Sequence, residues 1–399
     1  RIRDLFRPGA PWLLAFLLAA GLSAQVEELK HSNPKRRTKA AQKLGGLGDP
    51  QHIVPLRELL KDPVPDVRAT AVDSIVRIGT QHSLDPLIEA TRDSVPGIQI
   101  MAVDGLVNFY KIGYVGTGFK ASLKNFGRNI RNRFAQPSEV IIEPYLDVSP
   151  DVVKTIARLI GGGSSMASRA NAARAAGVLR GQAALPQLKE ALRSKNTILI
   201  LESVRAIEKI GDLKTGRSLT FLLHDLDENV QLAVVKAMGQ LSVKESIPEL
   251  VGLVRTSSEK KIRRQSLIAL AKMPDSGQRS IFLVHLKDRD HQVRAASAEG
   301  IGRAGEKQDL KMILDAFANE RSESARLSMA FAAVYLGDMS YASYLIDALN
   351  SLFHRGEARP FLVELARKPE VLSRLYDPLT KGTKYQKTEL CHVISVSGN

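Results

Sequence analysis

The chain has 399 residues, a formal net charge of +15 and a single cysteine, Cys391. One cysteine excludes an intrachain disulfide framework and a cysteine-based zinc site. The basic balance favours acidic proteins, nucleic acid or anionic membrane surfaces as partners.

Residues 1–24 have the three parts of a secretory signal peptide. Three arginines precede an apolar run, residues 12–22, and small residues follow the run up to Ala24. The run is too short to span a membrane comfortably as a helix. We therefore predict a signal peptide that is cleaved after Ala24, and a secreted or periplasmic protein. An uncleaved membrane anchor and a buried first helix are the alternative interpretations.

Residues 62–93 set a pattern that returns about every 31 or 32 residues along the chain. The pattern consists of a turn, an amphipathic helix, a second turn and a second amphipathic helix. Val67, Ala71, Ile75 and Ile78 form one apolar stripe on the first of these helices. The same stripe begins again near positions 198, 230, 262, 293 and 325. This regularity predicts an array of helix pairs in which each pair contacts its neighbours.

Proline and glycine mark the ends of the predicted helices. Prolines occur where the second helix of a pair begins, at Pro55, Pro86, Pro186 and Pro248. Glycines occur where the first helix ends, at Gly48, Gly79, Gly211 and Gly305.

The repeated unit has the pattern Leu-x-x-Leu-Leu-x-Asp, a turn, and then Val-Arg-x-x-Ala-x-x-x-Ile-x-x-Ile-Gly. This pattern resembles a HEAT repeat in its short bacterial form. That form is also found in the phycobilisome-lyase-type HEAT proteins. The resemblance covers residues 33–110 and 150–340. It implies an all-α, right-handed superhelix whose Val67–Ile78 type of helix lines the concave face, the face that usually binds proteins. The predicted divisions are a signal peptide (1–24), repeats (25–110), an insertion (111–149), repeats (150–340) and a helical cap (341–399).

Four arginines share one position of the repeat, and we call them the arginine ladder: Arg68, Arg263, Arg294 and Arg326. Two interpretations fit them. They are either a basic row that faces a ligand, or structural residues that bond turn acids such as Asp66 and Asp290. The second is favoured, because acids occur at matching places in the turns.

The repeat pattern breaks at residues 111–149. Positions 111–137 contain six Lys or Arg residues and no acid. Apolar residues at spacings of three or four form one helix face there, and basic residues lie mostly off that face. Such a basic amphipathic helix docks on an acidic partner or an anionic membrane, or simply covers the solenoid core. The candidate partner-binding residues are Phe119, Lys120, Lys124, Phe126, Arg128, Arg131, Arg133 and Phe134.

The spacing becomes irregular again after residue 338. Helices are predicted over 341–353, 360–366, 369–379 and 384–396, and they are interpreted as the cap that a repeat array needs at its end. A basic run at residues 35–43 is interpreted as the solvated face of the first helix, with anion contact as its alternative.

No catalytic, cofactor-binding or metal-binding motif is identifiable in the sequence. The eight histidines form no His-Glu-x-x-His pattern, and no Gly-x-Ser-x-Gly elbow occurs. The favoured function is therefore a non-enzymatic scaffold that binds an unidentified protein outside the bacterial cytoplasm. The alternatives are a lyase- or chaperone-like HEAT protein, and a binder of anionic membrane or nucleic acid through residues 111–137. Nucleic acid is the less favoured partner, and no cofactor or small-molecule substrate is expected.

Overall fold

The computed structural model describes residues 25–114, 134 and 139–397. Within these ranges the regular elements are α-helices and 3-10 turns, and no β-strand occurs. The chain divides into unit 1, residues 1–218, and unit 2, residues 219–399. The predicted signal peptide, residues 1–24, lies outside the described residues.

The α-helices are numbered here in chain order. They are α1 (Pro34–Leu47), α2 (Ile53–Glu58), α3 (Pro65–Ile78), α4 (Leu84–Ala90), α5 (Pro96–Tyr110), α6 (Pro150–Gly162), α7 (Met166–Val178), α8 (Leu185–Ala191), α9 (Thr197–Ile210), α10 (Leu213–Gly216), α11 (Glu228–Gln240), α12 (Ile247–Thr256), α13 (Lys260–Ala271), α14 (Arg279–His285), α15 (His291–Ala304), α16 (Leu310–Asn319), α17 (Glu323–Leu336), α18 (Ala342–Ala348), α19 (Arg355–Leu365), α20 (Pro369–Lys381) and α21 (Lys384–Ser397). None of the helices in the described ranges is long and apolar enough to span a bilayer.

Unit 1 is a stack of helix pairs. Its helices α1, α3, α5, α7 and α9 pack side by side in chain order, and we call them the inner helices of unit 1. Each inner helix after α1 is packed against the partner helix that precedes it, which is α2, α4, α6 or α8. The predicted stripe fills the space between the two layers, where Leu56, Ile75 and Leu106 are fully buried. Burial of each such side chain contributes about 1.5–3 kcal/mol relative to exposure. The array of helix pairs expected from the sequence period is thus confirmed.

Helix ends follow the predicted proline and glycine signals. The predicted prolines lie in the first turn of the partner helices α2, α4, α8 and α12, where a missing N–H is no loss. Gly48, Gly79 and Gly211 close their helices with φ of 69°, 60° and 79°, a left-handed conformation that favours glycine. Gly305 also follows a helix, but its backbone is extended, with φ of −85°.

The stack in unit 1 continues across the predicted insertion. Helix α5 packs directly against α7, and α4 contacts α6, although about 40 residues separate α5 from α6 in sequence. The break in the sequence pattern at 111–149 therefore interrupts the chain but not the packing of the helices.

Unit 2 repeats the same arrangement and ends in a different one. Its inner helices are α11, α13, α15 and α17, which pack in chain order with α12, α14 and α16 against them. Helices α18 to α21 then share one apolar core with α17, built around Phe331, Leu362, Leu375 and Leu390. The first helix of this region ends at Ala348, earlier than predicted, and Phe353 beyond it is 85% exposed.

Candidate functional site

Seven of the eight candidate partner-binding residues lie outside the described residues: Phe119, Lys120, Lys124, Phe126, Arg128, Arg131 and Arg133. Phe134 is described. Its ring is half-buried, and the guanidinium carbon of Arg174 lies 4.8 Å from the ring centre. Arg174 belongs to inner helix α7 of unit 1. This contact places the C-terminal end of the predicted binding segment on the inner helices.

The residues on either side of that segment are fixed to one another. Lys111 Nζ lies 3.2 Å from Glu143 Oε1, and the backbone N–H of Ser149 donates to the hydroxyl of Tyr110 at 3.0 Å. The residues that flank the segment thus lie at the C-terminal end of α5.

The returning chain, residues 139–149, also bonds to the ends of the next two inner helices. The N–H of Ile142 donates to the carbonyl of Val178 at 2.9 Å, at the end of α7. The amine of Lys209, near the end of α9, donates to the carbonyl of Val140 at 3.1 Å. Burial lowers the pKa of Lys209, against the opposing effect of Glu202 and Glu139. Three successive inner helices therefore hold the return path of the segment.

A buried cluster of charges lies beside Phe134. Arg174 donates from Nε and Nη2 to the two carboxylate oxygens of Glu202, at 2.8 and 2.9 Å, and Arg205 donates to the same carboxylate at 2.7 Å. The side chains of Arg174 and Glu202 are only 6% and 2% exposed. We call Arg174, Glu202 and Arg205 the unit 1 charge cluster. Because two cations share one carboxylate, the cluster has an excess of positive charge.

The charged positions continue along the inner helices toward the N-terminus. Asn171 on α7 donates to Asp104 on α5 at 3.1 Å, and Arg77 contacts Asp73 on α3 at 2.8 Å. Burial raises the pKa of Asp73, while Arg77 lowers it. Unit 1 thus presents a row of charged and amide side chains across successive helices.

The sequence analysis missed this row, although a signal was present. Asp73 and Asp104 are 31 residues apart, as are Arg174 and Arg205, and this separation matches the repeat. A charged residue that recurs at one position of a repeat indicates one common face of the helices.

Two members of the arginine ladder, Arg68 and Arg294, bond acids of the turns, as favoured, but these acids differ from those expected. In Arg68, Nε and Nη2 contact the carboxylate of Asp93 at 2.6 and 3.0 Å. Arg294 contacts Glu320 in the same way, at 2.6 and 2.8 Å. The expectation of Asp66 and Asp290 as partners was wrong, because Arg68 and Arg294 reach the turn that leads into the next inner helix. Arg326 instead stacks on the rings of Phe317 and Tyr344.

Unit 2 has its own charge cluster, formed by Glu299, Arg303 and Glu364. Arg303 donates from Nε and Nη2 to Glu364, at 2.9 and 2.8 Å, and from Nη1 to Glu299 at 3.0 Å. Its guanidinium lies 4.8 Å from the ring centre of Phe331. Burial raises the pKa of Glu299, against the opposing effect of Arg303.

Nothing in the described ranges forms a cluster of three or more His, Cys, Asp or Glu residues suited to a metal ion. What the arrangement in unit 1 offers is a row of mostly buried polar side chains, one of which, Arg174, lies against a half-buried aromatic ring.

Comparison with known proteins identifies the repeats. The family pattern of HEAT repeats matches residues 22–106 and 216–302. The chain therefore contains HEAT repeats in these two regions, as its sequence resemblance predicted.

Solved structures of low sequence identity align with the chain. The karyopherin Kap121p bound to Nup53p is 14% identical with a TM-score of 0.47, and the alignment covers 90% of this chain and 46% of that one. This chain thus spans about half the length of the karyopherin. The complex of CpcE and CpcF of phycocyanin lyase from Nostoc is 14% identical with a TM-score of 0.38, covering 65% and 94%. An engineered protein is 15% identical with a TM-score of 0.39, covering 95% and 99%. No curated protein sequence matches the chain.

Proposed function

We propose that this protein is a non-enzymatic HEAT-repeat scaffold that binds another protein in an extracytoplasmic compartment of a bacterial cell. The observation that carries the proposal is the charged row on the inner helices of unit 1, on which Phe134 lies. Repeated helices that present one continuous face give a partner a long contact surface. The absence of catalytic motifs from the sequence motivates the non-enzymatic part of the proposal.

We place the partner contact at residues 119–134 and the unit 1 charge cluster beside them. The six basic side chains at positions 111–137 are unbalanced by acids in that stretch of sequence, and the cluster adds a second excess of positive charge. Complementary charge speeds the encounter of two proteins and selects against wrong partners. An acidic protein surface is the complement that these charges favour.

Capture of a partner tests this proposal. The mature protein is crosslinked in an envelope extract, and partners are identified by mass spectrometry. We expect a specific partner whose yield falls strongly when Lys120, Lys124, Arg128 and Arg131 are changed to glutamine. The control changes four exposed basic residues of the C-terminal helices, Arg367, Arg374, Lys381 and Lys384, and so removes the same charge. An equal fall in both variants, or no specific partner at all, contradicts the proposal.

The compartment is tested separately by fractionation and N-terminal sequencing of the tagged protein. The basic, apolar and small-residue order of residues 1–24 supports export and cleavage after Ala24. A mature chain that begins at Gln25 in the envelope or medium is expected. A cytoplasmic protein that retains residues 1–24 contradicts this part of the proposal.

The anionic-membrane alternative is tested with the same two variants. Binding to phosphatidylserine vesicles through residues 119–134 weakens with salt and is lost in the Lys120, Lys124, Arg128 and Arg131 variant. Membrane binding with that dependence, without a protein partner, favours the alternative over the scaffold.

A further inference from the structure

Arg263 differs from Arg68 and Arg294 of the arginine ladder because its fork holds no carboxylate. Arg263 donates from Nη1 to the carbonyls of Ser257 and Ser258, at 2.6 and 2.9 Å. Arg68 and Arg294 hold their own turns by the same two bonds from Nη1. In those two residues, Nε and Nη2 then bind a carboxylate. For Arg263 no acid of the described part of the chain lies within ion-pair distance.

The acid that the repeat would supply to Arg263 is present in the sequence but does not reach the arginine fork. Asp288 follows Arg263 by 25 residues, the separation of Arg68 and Asp93. Its Oδ1 accepts the N–H of Asp290 at 2.8 Å, as Asp93 accepts the N–H of Val95. The turn is therefore formed as in the other repeats, while the arginine fork stays open.

The open fork lines a groove of about 460 Å³ in unit 2, between α13 and the turn that leads into α15. We call it the cationic groove. Its floor is apolar, with buried Val254 and Leu267, and five basic side chains line it: Lys260, Arg263, Arg264, Lys287 and Arg289. Two acids, Asp288 and Asp290, also line it, so that positive charge is in excess by three. Asp290 contacts Arg264 at 3.1 Å, which leaves the Arg263 fork as the open position.

We propose that the cationic groove binds an acidic peptide segment of a protein partner, with one carboxylate held by Nε and Nη2 of Arg263. The fork is already oriented by its two carbonyl bonds, and a guanidinium in this geometry matches a carboxylate bidentately. Arg68 and Arg294 make that contact with acids of this chain, so the partner supplies the acid that is missing at Arg263. Further acids of the segment meet the remaining cations, and an apolar side chain meets the floor.

This inference rests on the proposed function in that the occupant is a protein, but it concerns another surface and is tested with a synthetic probe. A fluorescein-labelled peptide of consecutive glutamates is titrated with the mature protein at physiological ionic strength, and fluorescence anisotropy reports binding. Arg263→Gln is expected to weaken binding about tenfold, the usual effect of losing hydrogen bonds to a charged group. Arg263→Lys keeps the charge and loses the fork, and is expected to weaken binding several-fold.

Matched variants separate the fork from general attraction. Arg374→Gln removes the same charge from exposed surface and is expected to change affinity less than twofold. Asp288→Asn removes a competing negative charge and is expected to tighten binding. The thermal unfolding midpoint of each variant is recorded, so that a loss of affinity is not mistaken for unfolding.

Three results overturn the inference. Equal weakening by Arg263→Gln and Arg374→Gln means general attraction to a basic protein. Binding by Asp288→Asn but not by the unchanged chain means that Asp288 fills the fork in solution. Competition by inorganic phosphate that depends on Arg263, without peptide binding, means a site for a small oxyanion. If an envelope partner is captured equally well by Arg263→Gln, the proposed function holds but the cationic groove is not its binding site. If the peptide binds but no partner is captured, the groove binds acidic peptides and the proposed function is contradicted.

Discussion

Each unit has one charge cluster on its inner helices, joined in unit 2 by Glu364 of α19, and the two clusters have opposite balances of charge. In unit 1, one carboxylate, Glu202, is shared by two arginines. In unit 2, one arginine, Arg303, is shared by two carboxylates. In each cluster the arginine also lies on an aromatic ring, that of Phe134 in unit 1 and that of Phe331 in unit 2.

The two clusters differ in which part of the chain supplies the aromatic ring and, in unit 2, the second carboxylate. Phe331 is fully buried and belongs to inner helix α17, and Glu364 belongs to α19. The unit 2 cluster is therefore completed by the helical stack itself. Phe134 belongs to the segment outside the repeat pattern and is only half-buried. The unit 1 cluster is thus completed by a part of the chain that a partner could replace, which is why we place the candidate site there.

The largest predicted effect is the loss of the shared carboxylate in unit 1. Glu202→Ala leaves Arg174 without this acid in a site where the pair is almost fully buried, and we expect a loss of about 3–5 kcal/mol in the free energy of unfolding. Urea denaturation followed by circular dichroism measures it. Glu190→Ala, at an exposed position of the same unit, is the control. A loss no greater than that of the control would show that the cluster contributes little to the fold.

The unit 2 cluster is expected to respond to pH where the unit 1 cluster does not. Arg303→Met removes the cation shared by Glu299 and Glu364, at an expected cost of about 3 kcal/mol near neutral pH. Burial already raises the pKa of Glu299, and the loss of Arg303 raises it further. A raised pKa in the folded state means that the folded protein binds protons more readily, so its stability falls as pH rises through that pKa.

The deficit of Arg303→Met should therefore shrink as pH is lowered from about 8 to about 5. The deficit of Glu202→Ala should depend less on pH over that range, because the two arginines that lose their acid do not titrate there. Urea denaturation of both variants at several pH values makes the comparison. A constant deficit in Arg303→Met would mean that water already screens Glu299 and Glu364.

Loss of an acid from the arginine ladder is expected to lower stability by a smaller amount, and the pH dependence of that loss runs in the opposite direction. The hydrogen bonds from Arg294 lower the pKa of Glu320 to about 2. A lowered pKa gives stability that is present above the unfolded-state value and is lost as pH falls toward the folded-state value. Glu320→Gln should therefore cost roughly 2 kcal/mol at neutral pH. Its difference from the unchanged chain should disappear as pH falls from about 4.5 to about 2. A difference that persists at the acid end would contradict the assignment of this pair as the cause.

The sequence period predicts the helices but does not predict the charge clusters. Residues 62–93 predict helix pairs because apolar spacing and helix caps are local properties, and the structure confirms them. Arg174 and Glu202 stand at different positions of their repeats. Their pairing depends on how far α7 and α9 are displaced along each other, which spacing within one helix does not determine.

The arginine ladder also shows what the sequence period cannot predict, because equal spacing in the sequence does not give equal pairs in the structure. The separation of Arg263 and Asp288 equals that of Arg68 and Asp93, so the repeat pattern does not distinguish the two arginines. Only Arg68 pairs with its acid, whereas in the turn that contains Asp288 it is Asp290 that bonds an arginine, Arg264. The unequal pair marks the cationic groove, which no sequence motif indicated.

The smallest predicted effect concerns Phe134, and it measures how easily the candidate site opens. A guanidinium over an aromatic ring at 4.8 Å contributes about 1 kcal/mol, so Phe134→Ala should lower the free energy of unfolding by about that amount. Phe353→Ala, at an 85% exposed phenylalanine, is the control and should cost almost nothing. Amide hydrogen exchange at α7 should speed up in Phe134→Ala alone, and unchanged exchange would mean that the ring does not hold this face.

Since tenfold in affinity corresponds to about 1.4 kcal/mol, a partner that displaces Phe134 from Arg174 would lose less than tenfold in affinity by doing so. An energy this small lets the segment cover the buried pair in the free protein and still give way to a partner's own side chain.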